Sequence, residues 1–152
     1  MSEKARDITV NRRAFYEYHF DDRVEAGLML VGSEVKSLRN GHVNLKDAYA
    51  RFQGDELFLI GMHISQYGPA SQFGHEPERI RKLLLHRREI DSLYGKVREK
   101  GLTLVPTRLY FKDGKVKIEI ALARGKERID KRRDLAERDA KRQMERALKA
   151  RR

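Results

Sequence analysis

The chain has 152 residues, a length that suits one domain around one core, and 34 Lys and Arg against 23 Asp and Glu give it a net charge of +11. No run of about 18 apolar residues is present, which excludes a membrane-spanning helix. The absence of cysteine excludes a disulfide framework, a thiolate nucleophile and a Cys-based zinc site. The opening residues, MSEKARDITVNRR, have no apolar stretch and read as no secretory signal, so a cytoplasmic setting is expected. A small, strongly basic chain of this kind calls for a polyanionic partner.

In chain order, residues 15–20 and 24–31 read as strands separated by a turn at Asp21-Asp22-Arg23. Residues 33–39 fit a short helix with Ser33 as N-cap, Val35 and Leu38 on one face, and Asn40-Gly41 as the stop. Residues 48–53 and 56–62 form a hairpin around Gly54-Asp55, and 65–76 are a mobile loop rich in Gly, Ser and Gln. Pro77 suits a first helical position. Ile80, Leu83 and Leu84 keep helical spacing, as do Ile90, Leu93, Tyr94 and Val97, but the two sets are out of phase. Two helices, or one kinked helix, are therefore expected before Gly101. Residues 102–111 and 115–123 make a second hairpin around Asp113-Gly114, with Val116, Ile118 and Ile120 alternating.

The fold class is mainly β: a compact antiparallel barrel of about six strands, of the oligonucleotide-binding type, with two or three flanking helices. The barrel domain is assigned to residues 1–123 and a basic tail to 124–152. The tail carries 13 Lys and Arg against 6 Asp and Glu, whereas the first 123 residues carry 21 against 17. Its stripe of Ala136, Ala140, Met144, Ala147 and Leu148 is mostly alanine and buries too little to offset ordering entropy. It is expected to be disordered when free and helical when held, and a solvated charged helix is the plainer alternative. Arg outnumbers Lys 21 to 13, which favours phosphate and base contacts.

Catalytic patterns are missing. The five histidines show no HExxH spacing, so no metal or other cofactor is expected and the chain is not read as an enzyme. Gly27 through Ser33 imitates a phosphate loop, but Glu34 follows and the lysine is absent. His75-Glu76 reads as a loop cap. Cations instead stand beside flat or apolar groups in four places. Asn11, Arg12 and Arg13 precede Phe15, Tyr16 and Tyr18, and Lys36 and Arg39 lie a turn apart. Lys82 and its neighbouring arginines flank Leu83-Leu84-Leu85, and Arg124, Lys126 and Arg128 lead into the tail. Phosphates need clustered cations and unpaired bases need a surface to stack on, which suits structured RNA. The aromatics also suit strand packing and the leucines a core, although three consecutive leucines cannot all face inward on one helix. Glu25 either neutralises a neighbouring arginine or accepts hydrogen bonds from bases.

Gly32-Ser33-Glu34-Val35-Lys36-Ser37-Leu38-Arg39, with Gly41, Asn44-Leu45, Asp47 and Tyr49, resembles the signature of the SsrA-binding protein family, also called small protein B. The resemblance continues through His63-Ile64-Ser65, Arg81 to Arg87, Gly101 to Pro106, Leu109 to Lys112, Ala123 to Lys126 and Asp130-Lys131-Arg132. It implies a monomeric RNA-binding barrel that grips the tRNA-like domain of transfer-messenger RNA. Such a protein delivers that RNA to stalled ribosomes, with elongation factor Tu joining through the RNA. The tail then senses the empty decoding region of 16S rRNA and the empty mRNA channel, leading to ribosome rescue and tagging of the nascent peptide for proteolysis. The implied RNA surface is Asn11, Glu25 and Leu84, with Tyr16 nearby and basic support from Lys36, Arg39 and Lys82. The implied tail motif is Gly125 and Lys126 with Asp130, Lys131 and Arg132, where Glu127 replaces the family's usual second lysine. A generic small RNA-binding barrel acting as a ribosome-associated or translation factor is the alternative.

Overall fold

The computed structural model describes residues 5–66, 75–125 and 128–150, with side chains in the last segment at 136–147 only. The elements are β1 (Ala5–Val10), α1 (Arg12–Glu17), β2 (Tyr18–Leu28), α2 (Gly32–Arg39), β3 (Val43–Asn44), β4 (Tyr49–Gln53) and β5 (Glu56–Ile60). Next in the chain come β6 (His63–Ile64), β7 (Arg81–Leu84), α3 (Arg87–Lys100), β8 (Thr103–Lys112), β9 (Lys115–Gly125) and α4 (Arg128–Ala150).

Six antiparallel strands close on themselves in the order β8-β4-β5-β7-β2-β9, with β9 pairing back to β8. Closure leaves no open edge in the ring. The edge of β8 away from β9 is shared: Leu104 pairs with Ala50 of β4, and residues 108–112 pair with β1. β3 and β6 form a separate two-stranded ribbon. Inside the ring, Leu57, Leu59, Leu83, Leu104, Leu109, Ile118 and Ile120 form one core, which Leu38 of α2 and Leu93 of α3 join. The barrel of about six strands with flanking helices is thus as expected.

Both hairpins are where their turns place them. Asp113 and Gly114 both take positive φ, 52° and 74°, the geometry of a tight hairpin turn. α3 ends at Gly101 in the left-handed region, and α2 ends at Asn40.

Several local expectations are overturned. Residues 15–17 belong to α1, not to a strand, because the Asn11 side chain accepts from the Ala14 N–H at 3.2 Å and caps the turn. Ala14 then packs on Val105 and Ala123 outside the ring. Asp21-Asp22-Arg23 is no turn either: β2 runs through it with a bulge, the pairing passing from Phe20–Ala123 to Arg23–Ala121. The helix expected over Ile80 to Leu85 is strand β7, in which Arg81 and Leu83 face inward while Lys82 and Leu84 face outward. An arginine at an inward position masked the period-two pattern. Pro77 heads no helix; its carbonyl accepts from the Ile64 N–H at 2.9 Å.

Ser33 is not the cap of α2. Glu34 reaches back to the Val31 N–H at 3.0 Å, and the Ser33 hydroxyl meets Nδ1 of His75 at 2.9 Å. Nε2 of His75 lies 2.8 Å from the Ile64 carbonyl, so Nε2 carries the proton and Nδ1 accepts. Of the loop at 65–76, residues 67–74 lie outside the described residues.

Candidate nucleic-acid interface

The outer faces of β2 and β7 meet the start of α3 in a groove of about 610 Å³. Gly27 and Leu84 are register partners on its floor. A Cβ at Gly27 would stand 3.2 Å from that of Leu84, so glycine leaves the room in which Leu84 lies against the sheet. Leu84 is 45% exposed, whereas adjacent Leu83 is 1% exposed. Of the three successive leucines, Leu84 is therefore the one exposed in the groove.

Glu25, two residues before Gly27 on the same strand face, also lines the groove. The Tyr110 hydroxyl donates to its Oε2 at 2.5 Å, and Lys112 Nζ approaches Oε2 at 3.2 Å and Oε1 at 3.4 Å. The Tyr110 hydrogen bond, helped by Lys112 and Lys117 and opposed by burial, holds the Glu25 carboxyl below its ordinary range. Burial and the same hydrogen bond raise the phenol, which stays protonated. Lys82 and Lys117 supply cations, Lys82 being paired with Glu56 at 2.7 Å. Across β7, β2 and β9 the groove combines an ionised acceptor, an exposed apolar side chain and cations, with Asp55, Glu56 and Glu89 also in its lining, a mixture that suits unpaired bases and their phosphates.

The remaining RNA candidates lie elsewhere. Asn11 is 4% exposed, and its Nδ2 donates to the carbonyls of Leu45 at 3.2 Å and Pro106 at 2.9 Å, while Oδ1 caps α1. Its polar atoms are spent within the fold. Arg12 and Arg13 are exposed on α1, Arg13 bonding Glu17 at 2.9 Å and Asp47 at 3.2 Å. The guanidinium of Arg138, in α4, lies 5.5 Å from the centre of the Tyr16 ring. Lys36 and Arg39 are exposed on α2. Gly125 ends β9, whereas Lys126 and the side chains of Asp130, Lys131 and Arg132 lie outside the described residues.

Residues missed from the sequence cluster around Glu25: Tyr110, Lys112 and Lys117 come from the last hairpin. The spacing of Tyr110 and Lys112, two apart and so on the same strand face, was the available signal. Also missed was the role of Glu34, buried at 0% exposure, whose carboxylate takes Arg79 at 2.6 Å and Arg81 at 2.5 Å. Burial opposes its charge, yet the bonds from Arg79, Val31 and Arg81 prevail and hold it below the usual carboxylate range. Arg23 lies over both Phe15 and Phe20, at 5.5 and 5.2 Å from the ring centres, so part of the aromatic cluster serves packing. Among the described residues, no three His, Asp or Glu side chains come together to hold a metal ion, and no helix is long and apolar enough to cross a membrane.

A closed six-stranded ring with flanking helices and a groove of mixed charge on its outer face defines an oligonucleotide-binding-type barrel protein. A family model described as SmpB protein matches residues 8–150, and the chain belongs to that family. It is similar to the SsrA-binding protein of Carboxydothermus hydrogenoformans, 56% identical over 144 residues that cover 95% of this chain and 97% of the relative. With that of Symbiobacterium thermophilum it shares 58% identity, covering 95% and 92%, and with that of Moorella thermoacetica 53%, covering 99% and 98%. A solved structure described as "tmRNA-SmpB: a journey to the center of the bacterial ribosome" superposes with a TM-score of 0.67 at 45% identity, covering 82% of this chain and 91% of that one.

Proposed function

We propose that the chain binds the tRNA-like domain of transfer-messenger RNA and delivers it to stalled ribosomes in the cytoplasm, as a binding protein and not as an enzyme. The observation that carries this reading is the shared groove of Glu25, Lys82 and Leu84, on a chain of the SmpB family. Leu84 is the shelf for a base, Glu25 the acceptor for base N–H donors, and Lys82 with Lys117 the phosphate contacts. Away from the groove, Lys36 and Arg39 on α2 and Arg12, Arg13 and Tyr16 on α1 form further contacts. Asn11 acts by fixing the start of that helix.

The tail acts on the ribosome. Its excess of cations suits the decoding region of 16S rRNA and the downstream channel, where mRNA would compete with it directly. Free of the ribosome the chain is a monomer, and Gly125, Lys126, Asp130, Lys131 and Arg132 are its ribosome contacts. Elongation factor Tu joins through the RNA. The outcome is rescue of the ribosome and tagging of the unfinished peptide for proteolysis.

The test is binding to a transcript of the tRNA-like domain, at near-physiological salt and with excess ordinary tRNA as competitor. Binding is expected to survive the competitor and to fall in the Glu25→Ala, Leu84→Ala double variant. Equal affinity for both RNAs, indifferent to these substitutions, would replace this reading with a generic RNA-binding barrel.

A further inference from the structure

We infer that Tyr110 is a positioning residue for RNA recognition, holding one oxygen of Glu25 so that the other is presented to the RNA. The inference rests on the function proposed above and adds to it a residue outside the base-contacting set. Glu25 and Tyr110 are 85 positions apart in sequence and flank β9, where their register partners are Glu119 and Lys117.

The Tyr110 side chain has little freedom. It is 3% exposed, and the guanidinium of Arg108 lies 4.4 Å from the centre of its ring. Arg108 is itself tied to Asp7 at 3.0 Å and Glu119 at 2.9 Å. Three strands thus fix the direction of the phenol O–H, which reaches Oε2 of Glu25 at 2.5 Å. Among the described residues, Oε1 receives one contact, the 3.4 Å approach of Lys112, and it keeps acceptor capacity.

A glutamate on an exposed strand otherwise samples many rotamers, and ordering it on binding costs conformational entropy. Tyr110 removes most of that cost beforehand. A phenol also does this without charge. It adds no charge of its own to the carboxylate, and Lys112 approaches the same oxygen at 3.2 Å as a second, looser constraint. Its hydrogen bond is also the largest influence keeping Glu25 ionised, ahead of the neighbouring lysines and against burial.

Tyr110→Phe keeps the ring and deletes the hydroxyl. In the full-length chain, affinity for the tRNA-like-domain transcript is expected to fall about tenfold, about 1.4 kcal/mol. The acid limb of binding should move to higher pH, since Glu25 loses the bond that keeps it ionised. In a Glu25→Gln background the same substitution should add little. Wild-type affinity and an unmoved acid limb in Tyr110→Phe, with Glu25→Gln still weakening binding, would overturn the inference and leave the proposed function standing. Equal losses in both backgrounds with no change in the pH profile would reduce Tyr110 to packing and also overturn it. If Glu25→Gln itself binds like the wild type, the reading of Glu25 fails and this inference fails with it.

Discussion

Replacing Arg81 with methionine should remove one of the strongest polar anchors of the barrel. The guanidinium donates to Glu34 at 2.5 Å, to the Met62 carbonyl at 2.8 Å and to the Pro77 carbonyl at 3.0 Å, with both charged side chains at 0% exposure. Methionine fills much of the volume but supplies no donor. Glu34 would keep Arg79 and the Val31 N–H, while two carbonyl oxygens would lose a partner. Breaking a buried pair from one side costs about 3–5 kcal/mol, so about 4 kcal/mol is expected. For a chain of this size that is about a third of the total stability. The pH dependence arises from Glu34, whose carboxyl is held low in the folded state. Its contribution is fully present above the unfolded-state carboxylate pKa and is lost as pH falls through the lower folded value. With Arg81 gone the folded value rises, and acid destabilisation sets in at a higher pH. Urea unfolding followed by far-UV circular dichroism, from neutral into acid conditions, reads both effects. Glu56→Gln is the control: it breaks the part-exposed Lys82–Glu56 pair and should cost about 1 kcal/mol or less. An Arg81→Met loss no larger than the control's, with an unmoved acid limb, would refute the account of Glu34 and Arg81 as a buried, coupled pair.

Leu83→Ala should cost about 3 kcal/mol in urea unfolding, and Leu84→Ala less than about 1 kcal/mol while weakening RNA binding; equal costs would contradict the strand assignment of β7. Asn11→Ala should lose about 2 kcal/mol of stability, because two carbonyls and a helix cap lose their partner, and a fall in RNA affinity at unchanged melting temperature would point instead to a direct contact. Gly61→Ala should lower the melting temperature sharply, since φ is +83° and the added Cβ would lie 2.6 Å from the Asp47 carbonyl oxygen. Truncation after Gly125, where β9 ends, should leave affinity for the tRNA-like domain nearly intact in filter binding while abolishing tagging in a reconstituted translation reaction; joint loss of both would defeat the division between barrel and tail.

Local signals in the sequence were decoded where the turn chemistry and the face pattern agreed. Asp113-Gly114 between two alternating runs marks the β8–β9 hairpin, and Gly54-Asp55 marks β4–β5. The end of α3 is written in Gly101. Reading failed where tertiary pairing reversed a residue's usual preference. Arg81 at an inward strand position makes β7 look like a helix face until Glu34, 47 positions away, is brought beside it. Phe15 and Tyr16 look like strand residues until Asn11 finds the Pro106 carbonyl, 95 positions away, and fixes the chain as a cap. The site divides in the same way. Three successive leucines already required one to face outward, so the shelf was visible before the groove. The partner of Glu25 was not, because nothing local joins residue 25 to residue 110.

The strand order also bears on how the chain is made. β1 comes early, yet its partner is β8, with Ala5 opposite Lys112, and β2 has its longest pairing with β9, Tyr18 lying opposite Gly125, and only a short one with β7. A nascent chain emerging from its N-terminus therefore carries β1 unpaired until β8 is made and β2 without its main partner until β9 is made, and the seam between β8 and β9 is the last to form. Such distant pairings make for slow folding, and the waiting edges are the segments at risk of sticking to other chains. Every strand of the ring is made before residue 126, so the order of synthesis leaves closure of the barrel independent of the basic segment that follows β9.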